Sequence, residues 1–167
     1  MFSTTTAKKK QEESIVDKIY RMAYLLLGNE HDAWDLTQEV FLELEKGRKK
    51  WEQAQSPMAW AIGVFRNQSK KFFRIKSKHV GVLSEEHLGH EITHEMDVAD
   101  STVLKEKLAC TFHAIQTLNK DMAEALLLFS LEKIPMKEIA KLQEVPEGTV
   151  KWRIFEARRR IYEQVER

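Results

Sequence analysis

The chain is poor in the residues that break helices or cross-link a fold. Its 167 residues include 6 glycines, 3 prolines and a single cysteine, Cys110. So few turn-forming residues argue against an all-β architecture, which needs a turn after every short strand. One cysteine excludes an internal disulfide framework and is typical of a protein in a reducing compartment.

Long apolar runs are also missing. Residues 1–13 are polar and contain three consecutive lysines, without the apolar centre of a secretory signal, and we expect them to be disordered. Nowhere does a run approach the roughly 18 apolar residues that cross a bilayer. The sequence therefore predicts a cytoplasmic protein without membrane insertion.

The net charge of +1 is the sum of two basic segments and one acidic segment between them. Residues 1–78 hold 15 Lys/Arg and 10 Asp/Glu, residues 79–101 hold 6 Asp/Glu and no Lys/Arg, and residues 102–167 hold 12 and 10. Basic surfaces bind phosphate groups whatever the total charge. Since no segment shows the alternation of a strand, we predict an all-α protein. Two small helical domains, 14–78 and 102–167, are expected to be joined by a flexible acidic linker, 79–101.

Residues 135–161 predict a helix-turn-helix. Pro135 and Pro146 each suit the first turn of a helix. Apolar residues spaced by 4, 3 and 4 form a predicted buried stripe on the second helix: Val150, Ile154, Ala157 and Ile161. Trp152 and Phe155 fall on the opposite face among arginines, where a partner is expected. Such a basic second helix suits the DNA major groove. The alternative is an amphipathic surface helix whose aromatics are covered by another part of the chain.

A helix predicted over residues 30–46 has one apolar and one mixed face. The predicted buried face comprises Ala33, Leu36, Thr37, Val40 and Leu44. On the far side, Leu42 lies beside Asp35 and Gln38. This arrangement favours a protein-binding patch and a solvated face with one stray leucine equally.

The next segment mixes aromatic and basic residues. Residues 47–55 are predicted to form a loop that contains Trp51. Residues 66–78 hold six basic residues and no acidic one, with Phe72 and Phe73 inside the run. This mixture suits single-stranded nucleic acid, whose phosphates pair with cations and whose bases stack on rings. A solvated basic helix is the alternative.

The acidic segment contains a histidine cluster. His87, His90 and His94 have a spacing that could place three metal ligands on one helical face. No cysteine pair accompanies them, and Gly89 disfavours a firm helix. The carboxylate pattern of a catalytic metal site is missing too. We therefore predict no metal, no cofactor and no enzyme activity.

In this order, the segments resemble the extracytoplasmic-function (ECF) group of bacterial RNA polymerase sigma factors, in the sigma-70 family. Residues 32–44 (DAWDLTQEVFLEL) resemble the segment that binds the polymerase clamp. Residues 56–74 resemble the segment that recognises and opens the −10 element, and residues 138–161 resemble the −35-binding helix-turn-helix. One helix-turn-helix is weakly specific, whereas three such segments in the right order are highly specific.

The resemblance implies a protein that binds core RNA polymerase and directs transcription initiation at promoters. It implies contacts with the polymerase β′ clamp and β flap, with promoter DNA, and with an anti-sigma factor as a further candidate partner. The implied polymerase contacts are Asp35, Gln38, Glu39, Phe41 and Leu42. The implied −10 contacts are Lys49, Lys50, Trp51, Arg66, Asn67, Lys70, Lys71 and Arg74. The implied −35 contacts are Thr149, Lys151, Trp152, Arg153, Phe155, Glu156, Arg158 and Arg159.

Five residues depart from the family pattern, including Asn119, which replaces a common proline, and Pro135, which stands where the family often has serine or threonine. Lys133 stands where the family often has glycine. Trp152 is bulky where small residues are common, and Glu156 is acidic where basic ones are. Because a glutamate accepts a hydrogen bond from cytosine N4, Glu156 is predicted to shift the −35 preference. The arginines at 153, 158 and 159 are predicted mainly to touch phosphates. The alternative function is a standalone helix-turn-helix transcriptional regulator, which binds an inverted repeat without polymerase.

Overall fold

In a computed structural model, the protein is described over residues 3–79 and 102–166, with side chains over residues 14–77 and 105–166. Every regular element in these ranges is an α-helix, which confirms the all-α prediction. The helices are α1 Ser3–Leu27, α2 Glu30–Lys46, α3 Arg48–Glu52, α4 Pro57–His79, α5 Thr102–Thr117, α6 Lys120–Ser130, α7 Met136–Gln143 and α8 Glu147–Val165. Among the helices so described, none is long and apolar enough to cross a membrane.

The chain divides into two compact units. The first unit contains α1 as far as Tyr24, together with α2, α3 and α4. The second unit contains α5 to α8 and also Leu25–Gly28, at the end of α1. Apart from His79, the last residue of α4, the acidic segment 79–101 lies outside the described residues.

The core of the first unit is built from one face of each long helix. All five residues predicted for the inner face of α2 are buried. Thr37 is tolerated there because its hydroxyl donates to the carbonyl of Ala33 at 2.7 Å. Helix α2 packs against α4, from which Ile62 and Phe65 are buried. Helix α1 adds Ile19 to this core.

Two stretches of the first unit differ from the sequence prediction. Residues 3–13 were expected to be disordered, yet α1 begins at Ser3. The segment is composed largely of alanine, lysine, glutamine and glutamate after its threonines, and these residues extend an existing helix at little cost. Residues 47–55 were expected to form a loop, yet they contain α3. Its Trp51 is buried, with the indole Nε1 donating to the carbonyl of Pro57 at 3.0 Å.

The core of the second unit surrounds α6. Residues 122–128 of this helix are all buried, and α8 packs against α5, α6 and α7. The predicted stripe of α8 is buried at Val150, Ile154 and Ala157, while Ile161 is half-buried. The helix-turn-helix predicted from the sequence is therefore formed by α7 and α8.

The turns around α7 explain two unusual residues. Pro135 and Pro146 occupy the cap positions of α7 and α8, one residue before the first turn in which they were predicted. Lys133 and Glu144 adopt φ values of 55° and 54°, in the left-handed region that favours glycine. The lysine at a position where the family often has glycine is thus held in a conformation suited to glycine.

Candidate nucleic-acid and polymerase interfaces

The outer face of α8 is aromatic near its N-terminal end. Because Val150 and Ile154 are buried, the rotation of the helix about its axis is fixed. Trp152 and Phe155 consequently point away from the unit, with 55% and 66% of their surface exposed. The described part of the chain leaves both aromatics open to solvent, as expected for a face that binds a partner.

Arg153 does not belong to this outer face. Its side chain is only 16% exposed. Its guanidinium donates to Gln143 Oε1 at 2.6 Å and to Asp121 Oδ2 at 3.0 Å. Gln143 in turn donates to the carbonyl of Asp121 at 3.0 Å and to Glu124 Oε2 at 2.9 Å. Arg153 was predicted to touch phosphates, but here it joins α8 to α6 and α7.

Glu156 is held by two neighbouring arginines. One carboxylate oxygen accepts from Arg159 Nη2 at 2.7 Å and from Arg160 Nε at 2.8 Å, and the other accepts from Arg159 Nε at 2.9 Å. These donors hold the pKa of Glu156 at about 2, so it stays ionised near neutral pH. Arg159 is also bound to Glu163 on its other side. The carboxylate predicted to read cytosine is therefore already occupied in the free protein.

The remaining predicted −35 residues are open to different degrees. Lys151 and Arg158 are exposed, and Thr149 is partly exposed. The Arg158 guanidinium lies over the Phe129 ring, 5.4 Å from its centroid. This contact orients the arginine without neutralising its charge. Lys151 and Arg158 thus remain suitable for phosphate contacts.

Helix α4 presents a cationic face, which includes four of the eight predicted −10 residues. Asn67, Lys70, Lys71 and Arg74 recur at helical spacing and are all exposed. The sequence of α4 contains no acidic residue. Lys49 and Lys50, on α3, are exposed as well.

Two residues predicted to contact −10 DNA are instead buried. Trp51 is 3% exposed, and its indole nitrogen is committed to Pro57, so the ring is not open to a base. Arg66 is also buried, on the inner side of α4. Both roles were implied by the family resemblance, in a stretch of basic and aromatic composition. Neither the resemblance nor the composition specifies which side of a helix faces the core.

Sequence reasoning missed a more accessible aromatic on α4. Trp60 is exposed. Asn67, Lys71 and Arg74 follow it at seven, eleven and fourteen residues, and these spacings place all four on one face of a helix. A helical projection of residues 57–79 would have revealed this alignment. The cationic face of α4 therefore includes an exposed indole.

The outer face of α2 has a different character. Asp35, Gln38, Glu39 and Leu42 follow the i, i+3, i+4, i+7 pattern and are all exposed. Leu42, with 58% of its surface exposed, is the apolar centre of this α2 stripe. Phe41 is half-buried at its edge. His31 lies one turn earlier, with Nε2 3.5 Å from the Asp35 carboxylate.

The histidines considered as metal ligands, His87, His90 and His94, lie outside the described residues. Within the residues that are described, no group of three or more potential ligands is assembled.

Comparison with known proteins connects these faces to a family. Residues 13–79 match the family model Sigma-70 region 2, and residues 108–161 match Sigma-70, region 4. Over 157 residues, the chain is 26% identical to the ECF RNA polymerase sigma factor SigW of Bacillus subtilis, covering 89% of this chain and 83% of that protein. It is 24% identical over 143 residues to the ECF RNA polymerase sigma-E factor of Haemophilus influenzae, covering 81% and 76%.

A solved structure has the same fold. It is the sigma factor RpoE in complex with the anti-sigma factor NepR from Bartonella quintana, with a TM-score of 0.74 and 21% identity. The match covers 96% of this chain and 97% of that one. The two family models together span well over half of the sequence, in the order predicted. The chain therefore belongs to the ECF sigma factors of the sigma-70 family, non-enzymatic proteins that bind RNA polymerase and direct it to promoters.

Proposed function

We propose that three exposed helical faces divide the work of this sigma factor. The α2 stripe binds the β′ clamp of core polymerase, the cationic face of α4 holds the melted −10 strand, and the outer face of α8 reads the −35 duplex. The observation that carries this proposal is the α4 face, where an exposed indole is aligned with an amide and cations on a helix without acidic residues. That combination suits an opened strand better than a duplex or a protein.

In this proposal, polymerase binding centres on Leu42. The leucine offers apolar area to bury, and Asp35, Gln38 and Glu39 around it offer hydrogen-bond acceptors for a basic clamp surface. We further propose that residues 14–78 and 102–167 are the two sigma domains, the second of which docks on the β flap. The site of action would be the cytoplasm, where the polymerase works.

For the −10 element, we propose that Trp60 stacks on an unpaired base. Asn67 would supply hydrogen bonds to that strand, and Lys70, Lys71 and Arg74 would follow its phosphates. Lys49 and Lys50 on α3 would add positive charge. Trp51 and Arg66 are assigned to the core that supports this face rather than to the DNA.

For the −35 element, we propose that the N-terminal half of α8 enters the major groove. Lys151 and Arg158 would contact phosphates on either side, with Thr149 at the start of the helix. Arg153 would hold the helix in place from inside the unit. We also propose that an anti-sigma factor regulates the chain, in line with the solved complex of the similar sigma factor.

The defining experiment is run-off transcription with core polymerase on a genomic promoter library, with and without the protein. Start sites that depend on the protein and share a spaced −35/−10 pair are expected. The contrary result has two parts: core polymerase does not bind the protein and produces no transcript that depends on it, and the protein alone binds an inverted repeat. In that case the protein is better described as a standalone regulator.

The α2 stripe is tested by Leu42→Ala. Burying this exposed side chain on the clamp should contribute about 1–2 kcal/mol, so affinity for core polymerase should fall about tenfold. Leu108→Ala, an equal truncation of another exposed leucine, is the matched control and should bind normally. Equal affinities of the two variants would remove Leu42 from the interface.

The α4 face is tested by Trp60→Ala. Loss of one base–indole stack should weaken binding of the holoenzyme to a premelted −10 strand about tenfold, because such a stack contributes about 1–3 kcal/mol. Thermal stability should be nearly unchanged, since Trp60 is exposed. Tyr162→Ala, which removes an exposed aromatic of α8, is the control. Normal binding of the strand by Trp60→Ala would contradict the stacking role.

A further inference from the structure

We propose that the base-reading centre of α8 is apolar and selects thymine by its C5-methyl group, through Trp152 assisted by Phe155. This inference rests on the proposed docking of α8 in the −35 major groove. It assigns to this chain a specificity different from the carboxylate–cytosine readout that the sequence suggested for Glu156.

The position of Trp152 gives it access to base edges. Helix α8 begins at Glu147, and Trp152 lies near the end of its second turn, with Phe155 one turn further. The N-terminal residues of a recognition helix are the ones that reach base edges. The buried stripe holds α8 by its opposite side, so both rings project outward. A helix docked by this face presents two aromatic side chains to the groove.

Two polar residues near Trp152, Glu156 and Arg153, are committed to partners within their own unit. Glu156 already accepts three hydrogen bonds from Arg159 and Arg160, so a cytosine amine would compete with these donors for the carboxylate. Such charge-assisted bonds are stronger than a bond to a neutral amine. Arg153 is turned inward to Gln143 and Asp121. Neither residue is therefore the primary base reader at this part of the helix.

Thymine is the partner that this chemistry selects. It is the one base whose major-groove edge carries a methyl group, and apolar side chains contact that methyl. Burying one methyl-sized group contributes about 0.8 kcal/mol, which corresponds to about fourfold in affinity. One contact of this size discriminates modestly, and two adjacent contacts would discriminate more than tenfold.

The experiment replaces thymine by deoxyuracil, which removes the methyl group and keeps every hydrogen bond. Promoters that the holoenzyme transcribes in the run-off assay are selected first. Holoenzyme affinity is then measured by fluorescence anisotropy on duplexes with deoxyuracil at each −35 thymine in turn. We expect an affinity loss of about fourfold at one or two positions with the wild-type protein.

The assignment to Trp152 is tested by repeating the series with variants. Trp152→Ala should abolish the deoxyuracil penalty at one position, and Phe155→Ala should reduce it at that position or the next. Tyr162→Ala removes another exposed aromatic of α8, far from its N-terminal end, and should keep the full penalty. Melting curves of the three variants exclude unfolding as the cause.

Three results would overturn the inference. The first is the absence of thymine from the selected −35 elements. The second is equal binding of thymine and deoxyuracil duplexes by the wild-type protein. The third is a loss of affinity on deoxyuracil that both Trp152→Ala and Phe155→Ala retain. Each of these can occur while promoter-directed transcription is intact. Failure of the proposed function would appear earlier, as the absence of any transcript that depends on the protein.

Discussion

Replacing Arg153 by methionine is expected to destabilise the second unit, with no direct effect on phosphate contacts. Methionine matches the unbranched apolar stem of arginine, so packing of the stem along α8 is largely retained. What is lost is the guanidinium, which donates to Gln143 at 2.6 Å and to Asp121 at 3.0 Å. The substitution thus separates the inward role of Arg153 from the phosphate role that its position in a basic helix suggests.

The magnitude follows from the burial of the two acceptors. Gln143 is buried, and leaving its carbonyl oxygen without this donor costs about 1–3 kcal/mol. The Asp121 side chain is 45% exposed, so its ion pair is screened by solvent and contributes about 1 kcal/mol or less. Together the two losses amount to about 1–4 kcal/mol. For a unit of this size, each kcal/mol lost should lower the melting temperature by about 4–8 °C.

The assay combines thermal unfolding of the full chain with the salt dependence of holoenzyme binding to promoter DNA. Lys151→Met removes the same charge from an exposed position of α8 and is the matched control. It should change the free energy of unfolding by less than about 0.5 kcal/mol. It should also reduce the slope of log DNA affinity against log salt concentration by about one. If Arg153→Met instead melts normally and lowers the salt slope, Arg153 touches phosphate and the inward role is wrong.

Three other outcomes are expected. Trp51→Ala should destabilise the first unit by about 3–5 kcal/mol in urea unfolding, because the buried indole is removed; Lys50→Ala next to it should not. Glu144→Gly should raise stability by about 0.5–1 kcal/mol, since φ at this residue is 54°, whereas Glu144→Ala should give no gain. The Glu156 carboxyl should titrate with a pKa of about 2 by NMR, below its ordinary 4.5, and Arg159→Gln should raise that pKa. Because the pKa of Glu156 is lower in the folded than in the unfolded protein, the contribution of its carboxylate to folding stability is present above about pH 4.5 and is lost as pH falls through 2. A titration near 4.5 in the wild-type protein would show that the arginine contacts do not persist in solution.

Features fixed by local periodicity could be predicted from the sequence. The buried face of α2 and the stripe of α8 repeat at helical spacing, so their burial follows from pattern alone. The exposure of Trp152 and Phe155 follows from the same geometry. The binding of Glu156 to Arg159 and Arg160 is equally local, at i+3 and i+4, and could have been predicted from spacing before Glu156 was assigned to a base.

Features fixed by distant partners could not be predicted. Arg153 looks like any basic residue of a DNA-binding helix until Asp121, on α6, is placed beside it. Trp51 lies in a stretch whose composition suggests a loop, and its burial depends on a hydrogen bond to Pro57, beyond the intervening turn. In both cases a contact outside the local pattern decides whether a side chain faces the core or solvent, and sequence spacing contains no information on that contact.

The placement of ion pairs gives the two proposed DNA-binding helices different tasks. On α8, Arg153 and Arg159 are already bound to carboxylates of their own unit, so much of the charge of this helix is neutralised before DNA arrives. Helix α4 carries no acidic residue, and cations such as Lys70 and Lys71 are open to solvent. Counterion release, which gives affinity without sequence preference, should therefore come mainly from α4. Helix α8 has its aromatics exposed and both Arg153 and Arg159 occupied, so we expect it to discriminate mainly by contacts that do not depend on charge.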